Sequence, residues 1–144
     1  MARLQIFLAA LWWGSLTTVG FMVVPMLFVH LETPAIAGQM AAKLFSAQTW
    51  LALACGVLLL LAAKRQNIDQ AHTPSPWVIA GMLLALLIEL AVKPHIMARY
   101  NLALWHNLGS AFYVLQWLCA GKVLWALSPM KPEPAIAADS AQTD

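Results

Sequence analysis

Between Arg3 and His30 the chain carries no charge and no histidine, and Leu4 to Val29 reads LQIFLAALWWGSLTTVGFMVVPMLFV. As a helix that stretch would rise about 39 Å, at about 1.5 Å per residue, against an apolar bilayer thickness of about 30 Å. It is long enough to cross a membrane with some tilt. Three more apolar stretches follow, at about 34–63, 76–93 and 107–127, and the first reads as 4–30. In lipid every peptide group must find its partner inside the protein, and segments of this length do so only as helices. Short connections make successive helices neighbours that run in opposite directions. The expected fold is all-α: a polytopic integral membrane protein, an antiparallel four-helix transmembrane bundle over 1–128. Pro129, Pro132 and Pro134 then stop any helix, and 129–144 reads as a disordered cytoplasmic tail.

Composition excludes the main competitor. Charged residues make up 10% of the chain, whereas a water-soluble domain carries about 25%. The lipid bilayer is therefore the first partner. The basic residues do not cluster with interleaved aromatics, so no nucleic-acid partner is expected. Cys55 and Cys119 lie inside apolar stretches, form no CxxC pair and read as small buried hydrophobes. Ala35-Ile36-Ala37 resembles a signal-peptide cleavage site, but the apolar run before it exceeds the about 7–15 residues of a signal core, so the first span is expected to be retained.

Local signals set the boundaries. Pro25 predicts a kink near Phe21–Pro25. Thr33 is a good N-cap and Pro34 a good first helical residue, so a second helix should start at once and end at Lys64-Arg65. Gln66 to Ser75 reads as a polar loop, and Pro76-Trp77 opens the third span. Pro94 is expected to close that span, with a connection from His95 to Asn107 that includes Arg99. Small residues at four-residue spacing (Ala10, Gly14, Thr18; Ala52, Gly56; Gly81, Ala85) predict faces where helices approach closely. With the N-terminus inside, Arg3, Lys64, Arg65, Lys122 and Lys131 face the cytoplasm, against Lys43, Lys93 and Arg99 outside. That bias predicts N-in, C-in insertion.

The segment Gly20-Phe21-Met22-Val23-Val24-Pro25-Met26-Leu27-Phe28, then Ala37-Gly38-Gln39-Met40 and Lys43-Leu44-Phe45, resembles the transmembrane protein 205-like family. Pro94-His95-Ile96-Met97, His106 and Gln116 continue the likeness, which extends to about Leu127. The resemblance implies four spans and a small inner-membrane protein of unknown function. The chain departs from the family pattern at Gln48-Thr49, where relatives often place an aromatic pair.

Glu89 is the sharpest single feature, because a carboxylate within a span is costly. It shares a face with Gly81, Ala85 and Lys93. One reading is a proton or cation relay, or a counter-charge to a substrate. The other is an i, i+4 Glu–Lys pair near the outer interface. On the fourth span His106, Gly109, Tyr113, Gln116 and Ala120 form a small and polar stripe. Tyr113 and Gln116 either bond between helices or line a polar site with Glu89 and Lys93. Met22, Met26 and His30 share one face of the first span, and His95 and His106 fall at the same outer end. Thioether and imidazole donors suit a soft metal, although no spacing here is diagnostic. No cofactor is expected: the histidines sit at span ends rather than facing each other within the bundle, as a bis-His haem would need. There is no catalytic triad pattern, phosphate-binding glycine loop or HExxH motif, so the chain is not read as an enzyme. The leading function is a structural or interaction bundle that packs with itself or with a membrane partner. The alternative is a transporter or channel subunit for a cation, a soft metal or a drug.

Overall fold

The computed structural model describes residues 2–65, 74–98 and 101–128. The expected loop at 66–73, Arg99 and the tail at 129–144 lie outside the described residues. All the regular structure among those residues is helical: α1 (Ala2–Thr18), α2 (Val24–His30), α3 (Pro34–Lys64), α4 (Ser75–Leu87), α5 (Lys93–Met97) and α6 (Leu102–Leu127). Two π-helical turns, Val19–Val23 and Ile88–Val92, join α1 to α2 and α4 to α5 without a break. The result is four continuous rods, Arg3–His30, Pro34–Lys64, Ser75–Met97 and Leu102–Leu127, each long and apolar enough to cross a membrane.

The second rod starts as its sequence dictates. Thr33 is extended, its hydroxyl accepts the Ile36 N–H at 3.3 Å, and Pro34 follows at the first helical position. The prolines further along act differently from expectation. Pro94 does not end the third span, which continues to Met97, and the fourth begins at Leu102 rather than Asn107. Proline cannot donate to the carbonyl four residues back, and its ring crowds that carbonyl. Both rods absorb this by widening one turn ahead of the proline. Val24 N–H reaches back five residues to Val19 O before Pro25, and Lys93 N–H reaches Ile88 O before Pro94. The kink expected at Pro25 is thus a π turn, and the same local chemistry recurs at Pro94.

The core gathers Leu8, Trp12 and Leu16 from α1, Cys55 and Leu59 from α3, Ala85 from α4 and Val123 from α6. α1 packs on α6 and α3, and α4 packs on α6 and α3. The residue pairs that meet include Trp13 with Trp117, Ser46 with Glu89, and Trp117 with Thr17. Large apolar side chains stay exposed on all four rods, such as Phe7, Trp50, Leu83 and Leu118. A water-soluble monomer exposes far less contiguous apolar surface.

The small-residue stripes divide. Ala52, Gly56, Gly81 and Ala85 are buried, and the glycines make room for side chains from facing helices. The expected packing stripe of the first span turns outward instead. Ala10 and Thr18 are exposed, and no atom lies within 4 Å of where a Gly14 Cβ would stand. The buried side of α1 carries Gln5, Leu8, Ala9, Trp12 and Leu16. The reason is complementarity: the Trp12 indole needs a hole, and Gly81 on α4 supplies it.

This makes the glycines unequal. A Cβ at Gly81 would stand 2.7 Å from Trp12 Cη2, part of a buried and rigid ring. At Gly56 the obstacle is the Met82 thioether, which can swing aside. Gly81→Ala is expected to cost about 1–3 kcal/mol through overpacking, and Gly56→Ala less than about 1 kcal/mol. Unfolding by SDS from mixed micelles measures both, and equal losses would refute the distinction.

Candidate functional site

The polar groups of greatest interest sit where the third rod widens. The π turn Ile88–Val92 contains Glu89, and Lys93 follows it at once. Lys93 Nζ lies 2.5 Å from Glu89 Oε1. Ser46 of α3 completes the group. Its hydroxyl is 2.9 Å from Glu89 Oε2 and 3.1 Å from Oε1, and it lies 2.6 Å from Lys93 Nζ. Lys93 therefore donates to both partners while Ser46 donates to the carboxylate. The Ser46 hydroxyl also lies 3.0 Å from Ala42 O. It has one hydrogen, so the carboxylate and this carbonyl compete for it. The charged members are part-buried, with side chains 17% exposed for Glu89 and 35% for Lys93. The arrangement neutralises an ion pair inside the helical packing and ties α3 to the third rod.

The other two residues of the expected polar site go elsewhere. Tyr113 donates its hydroxyl to Leu16 O at 2.8 Å and sets its ring edge-on to Phe45, centroids 5.2 Å apart. That ring also fills the space beside Gly20, in the first rod's π turn. Gln116 is 2% exposed, and its Nε2 has no partner among the described residues. Trp12 Nε1 is likewise buried without one. A second polar contact crosses from α3 to α1: Gln48 Nε2 donates to Ser15 Oγ at 3.0 Å, and Ser15 donates to Trp12 O. The four expected residues thus split into one ion pair with a new partner and two separate positions on α6, of which Tyr113 bonds to the first rod and Gln116 is buried with its Nε2 unpartnered among the described residues.

Ser46 and the Gln48–Ser15 contact are the parts that reading the sequence missed. Ser46 showed no motif, and its link to Glu89 spans 43 positions. Gln48 stood out only as a departure from a family pattern. A buried polar residue in the middle of a span was the available signal, and it said nothing about the partner.

Four of the five soft-metal residues are exposed, and His95 is half-buried. Met22 is 59% exposed and Met26 53%. His30 is exposed, and its Nδ1 lies 2.9 Å from Met26 O. His95 stacks on Trp105 with centroids 3.9 Å apart, its Nδ1 2.7 Å from Ala91 O. His106 is exposed on α6. Among the described residues no three His, Cys, Asp or Glu side chains are grouped to hold a metal ion.

A family model described as a domain of unknown function, DUF4149, matches residues 7–103. The matched region includes both π turns and all three members of the Ser46–Glu89–Lys93 group. No curated protein and no solved structure matches the chain.

Proposed function

From the premise that the chain belongs to the DUF4149 family, defined by a domain of unknown function, we propose that it is a non-enzymatic, multi-pass inner-membrane protein that packs with copies of itself or with another membrane protein. Its four rods cross the bilayer as an antiparallel bundle, N-terminus and C-terminus in the cytoplasm. Opposed contact pairs support that course: Trp13 meets Trp117 and lies against Gly121, while Gly20 lies against Tyr113. The likeness of 20–28 and 94–97 to transmembrane protein 205-like sequences fits the same reading.

The observation that carries it is the outward stripe on the first rod. Ala10 and Thr18 are exposed around Gly14, whose side-chain position is open space. Small residues let a neighbouring backbone come close enough for dispersion contacts, which drive helix association in lipid. Meanwhile Glu89 and Lys93 are engaged within the chain. They act as a clasp that holds α3 against the third rod.

Photo-crosslinking from position 14 in native membranes tests this. The expected result is a protein adduct, either a dimer of the chain or a heavier species. A probe at the exposed Trp50, on α3, should give fewer protein adducts. Lipid adducts alone from position 14 would overturn the reading.

The transport alternative retains one supporting observation, the buried Gln116 amide nitrogen without a partner among the described residues, a feature that suits a solute or water inside the bundle. Glu89→Gln in proteoliposomes separates the two. Intact assembly with lost cation flux supports transport. Lost assembly supports the clasp.

A further inference from the structure

A cavity lies away from the clasp, between α1 and α6. It has a volume of about 360 Å³ and is lined by Trp13, Trp117, Leu118, Gly121, Lys122 and Trp125. Its floor is shaped by a missing side chain, since a Cβ at Gly121 would stand 3.0 Å from Trp13 Nε1. Trp13 and Trp117 form one wall, ring centroids 5.6 Å apart and tilted by 30°, and the Trp117 indole is fixed by donating to Thr17 at 2.9 Å. Trp125 is 83% exposed at the rim, beside exposed Lys122.

We propose that this groove binds an anionic phospholipid of the cytoplasmic leaflet, its phosphate on Lys122 and its acyl chain against Trp13, Trp117 and Trp125. The inference rests on the membrane topology proposed above. Three observations carry it. The groove is indole-lined and open sideways rather than enclosed, as an acyl chain requires. Trp125, two residues from the end of α6, stands at the depth that indoles favour, where headgroups meet acyl chains. Lys122 lies about one and a half turns from the end of α6, close enough for its flexible stem to lift the ammonium to the phosphate layer. Finally, charge selects the headgroup. Lys122 is the one charged side chain among the residues that line the groove. A zwitterionic lipid would bring its own cation beside Lys122, whereas phosphatidylglycerol brings only the phosphate charge.

Native mass spectrometry of the full chain in mild detergent tests the proposal, with phosphatidylglycerol and phosphatidylcholine of identical acyl chains in competition. One cation near the surface changes anionic-lipid binding by about five-fold. The wild-type chain is expected to retain phosphatidylglycerol in at least that preference. Lys122→Gln should bring the two lipids close to parity, while Arg65→Gln keeps most of the preference. Trp125→Ala should weaken retention of both lipids. Equal binding by the wild type overturns the proposal. So does an Arg65→Gln loss as large as that of Lys122→Gln, which would mean diffuse charge rather than a site. Alkaline extraction of membranes separates the underlying premise: a chain released by it has no transmembrane topology and sinks both ideas, whereas a retained chain without lipid preference sinks only the groove.

Discussion

Trp12→Ala should destabilise the bundle by about 3–4 kcal/mol, the range for deleting a buried indole. Trp12 is fully buried, its ring faces Gly81 of α4, and Cys119 of α6 closes the same site. Its Nε1 has no partner among the described residues, so the substitution removes packing and no hydrogen bond. That matters in a membrane, where lipid chains are as apolar as the core and the drive to hide apolar surface from water is absent. What holds the helices together is the density of contact, and an empty indole site forfeits it on three helices at once. Trp50→Ala provides the comparison. Trp50 is 68% exposed, and its loss should change stability by no more than about 0.5 kcal/mol. SDS unfolding curves for the two variants give the answer. If Trp12→Ala unfolds alongside Trp50→Ala, the socket at Gly81 is not a centre of the packing. Gly81→Ala adds a check on the same contact from the other side, because the two residues share one space and their effects should not be additive.

The second large effect concerns the clasp. Lys93→Met leaves the Glu89 carboxylate with Ser46 alone, and Glu89→Leu leaves the ammonium without its counter-charge. Each single change should cost about 2–3 kcal/mol, in line with the penalty for an uncompensated charge inside a membrane helix. The double variant, Glu89→Leu with Lys93→Met, should recover most of that loss, since removing a buried pair together is often close to neutral. Ser46→Ala should cost about 1 kcal/mol in the wild type, the worth of a hydrogen bond to a charged group at its lower end, and almost nothing in the double variant. The cycle isolates the coupling of the Glu89–Lys93 pair and of Ser46, which lies 43 and 47 positions from its two partners in the chain. A double variant no more stable than either single would mean that the pair is not coupled. A double variant that is stable yet loses a transport activity would favour the alternative function over the clasp.

The first span illustrates how much was legible in the sequence. That Arg3–His30 makes one membrane-length rod follows from its uninterrupted apolarity. Thr33-Pro34 announced the next start, and the cap is there. Which side of the first rod faces inward was not legible. The small residues Ala10, Gly14 and Thr18 suggested one face, and the bundle uses the face of Trp12 and Leu16. In a soluble helix the polar residues mark the outside. Here the outside is as apolar as the inside, so no periodic signal separates them. Proline gave a similarly partial signal. Pro25 and Pro94 each announced a disturbance, but whether the helix breaks or widens depends on what lies beside it. Glu89 was visible as an anomaly within a span, and Lys93 followed from spacing. Ser46 was not visible, because its role exists only where α3 passes the third rod.

By itself, then, the sequence determined the number, length and apolarity of the rods, the cap at Thr33 and the places where proline disturbs the backbone. These are properties of neighbouring residues, and each segment satisfies its own peptide groups. Only the tertiary structure decided that Trp12 enters the space at Gly81, that Ser46 joins Glu89 and Lys93, and that three indoles and Lys122 surround a groove. Such choices depend on shape and charge matching between segments far apart in the chain, and a nearly uniform apolar surface carries no local record of which match wins.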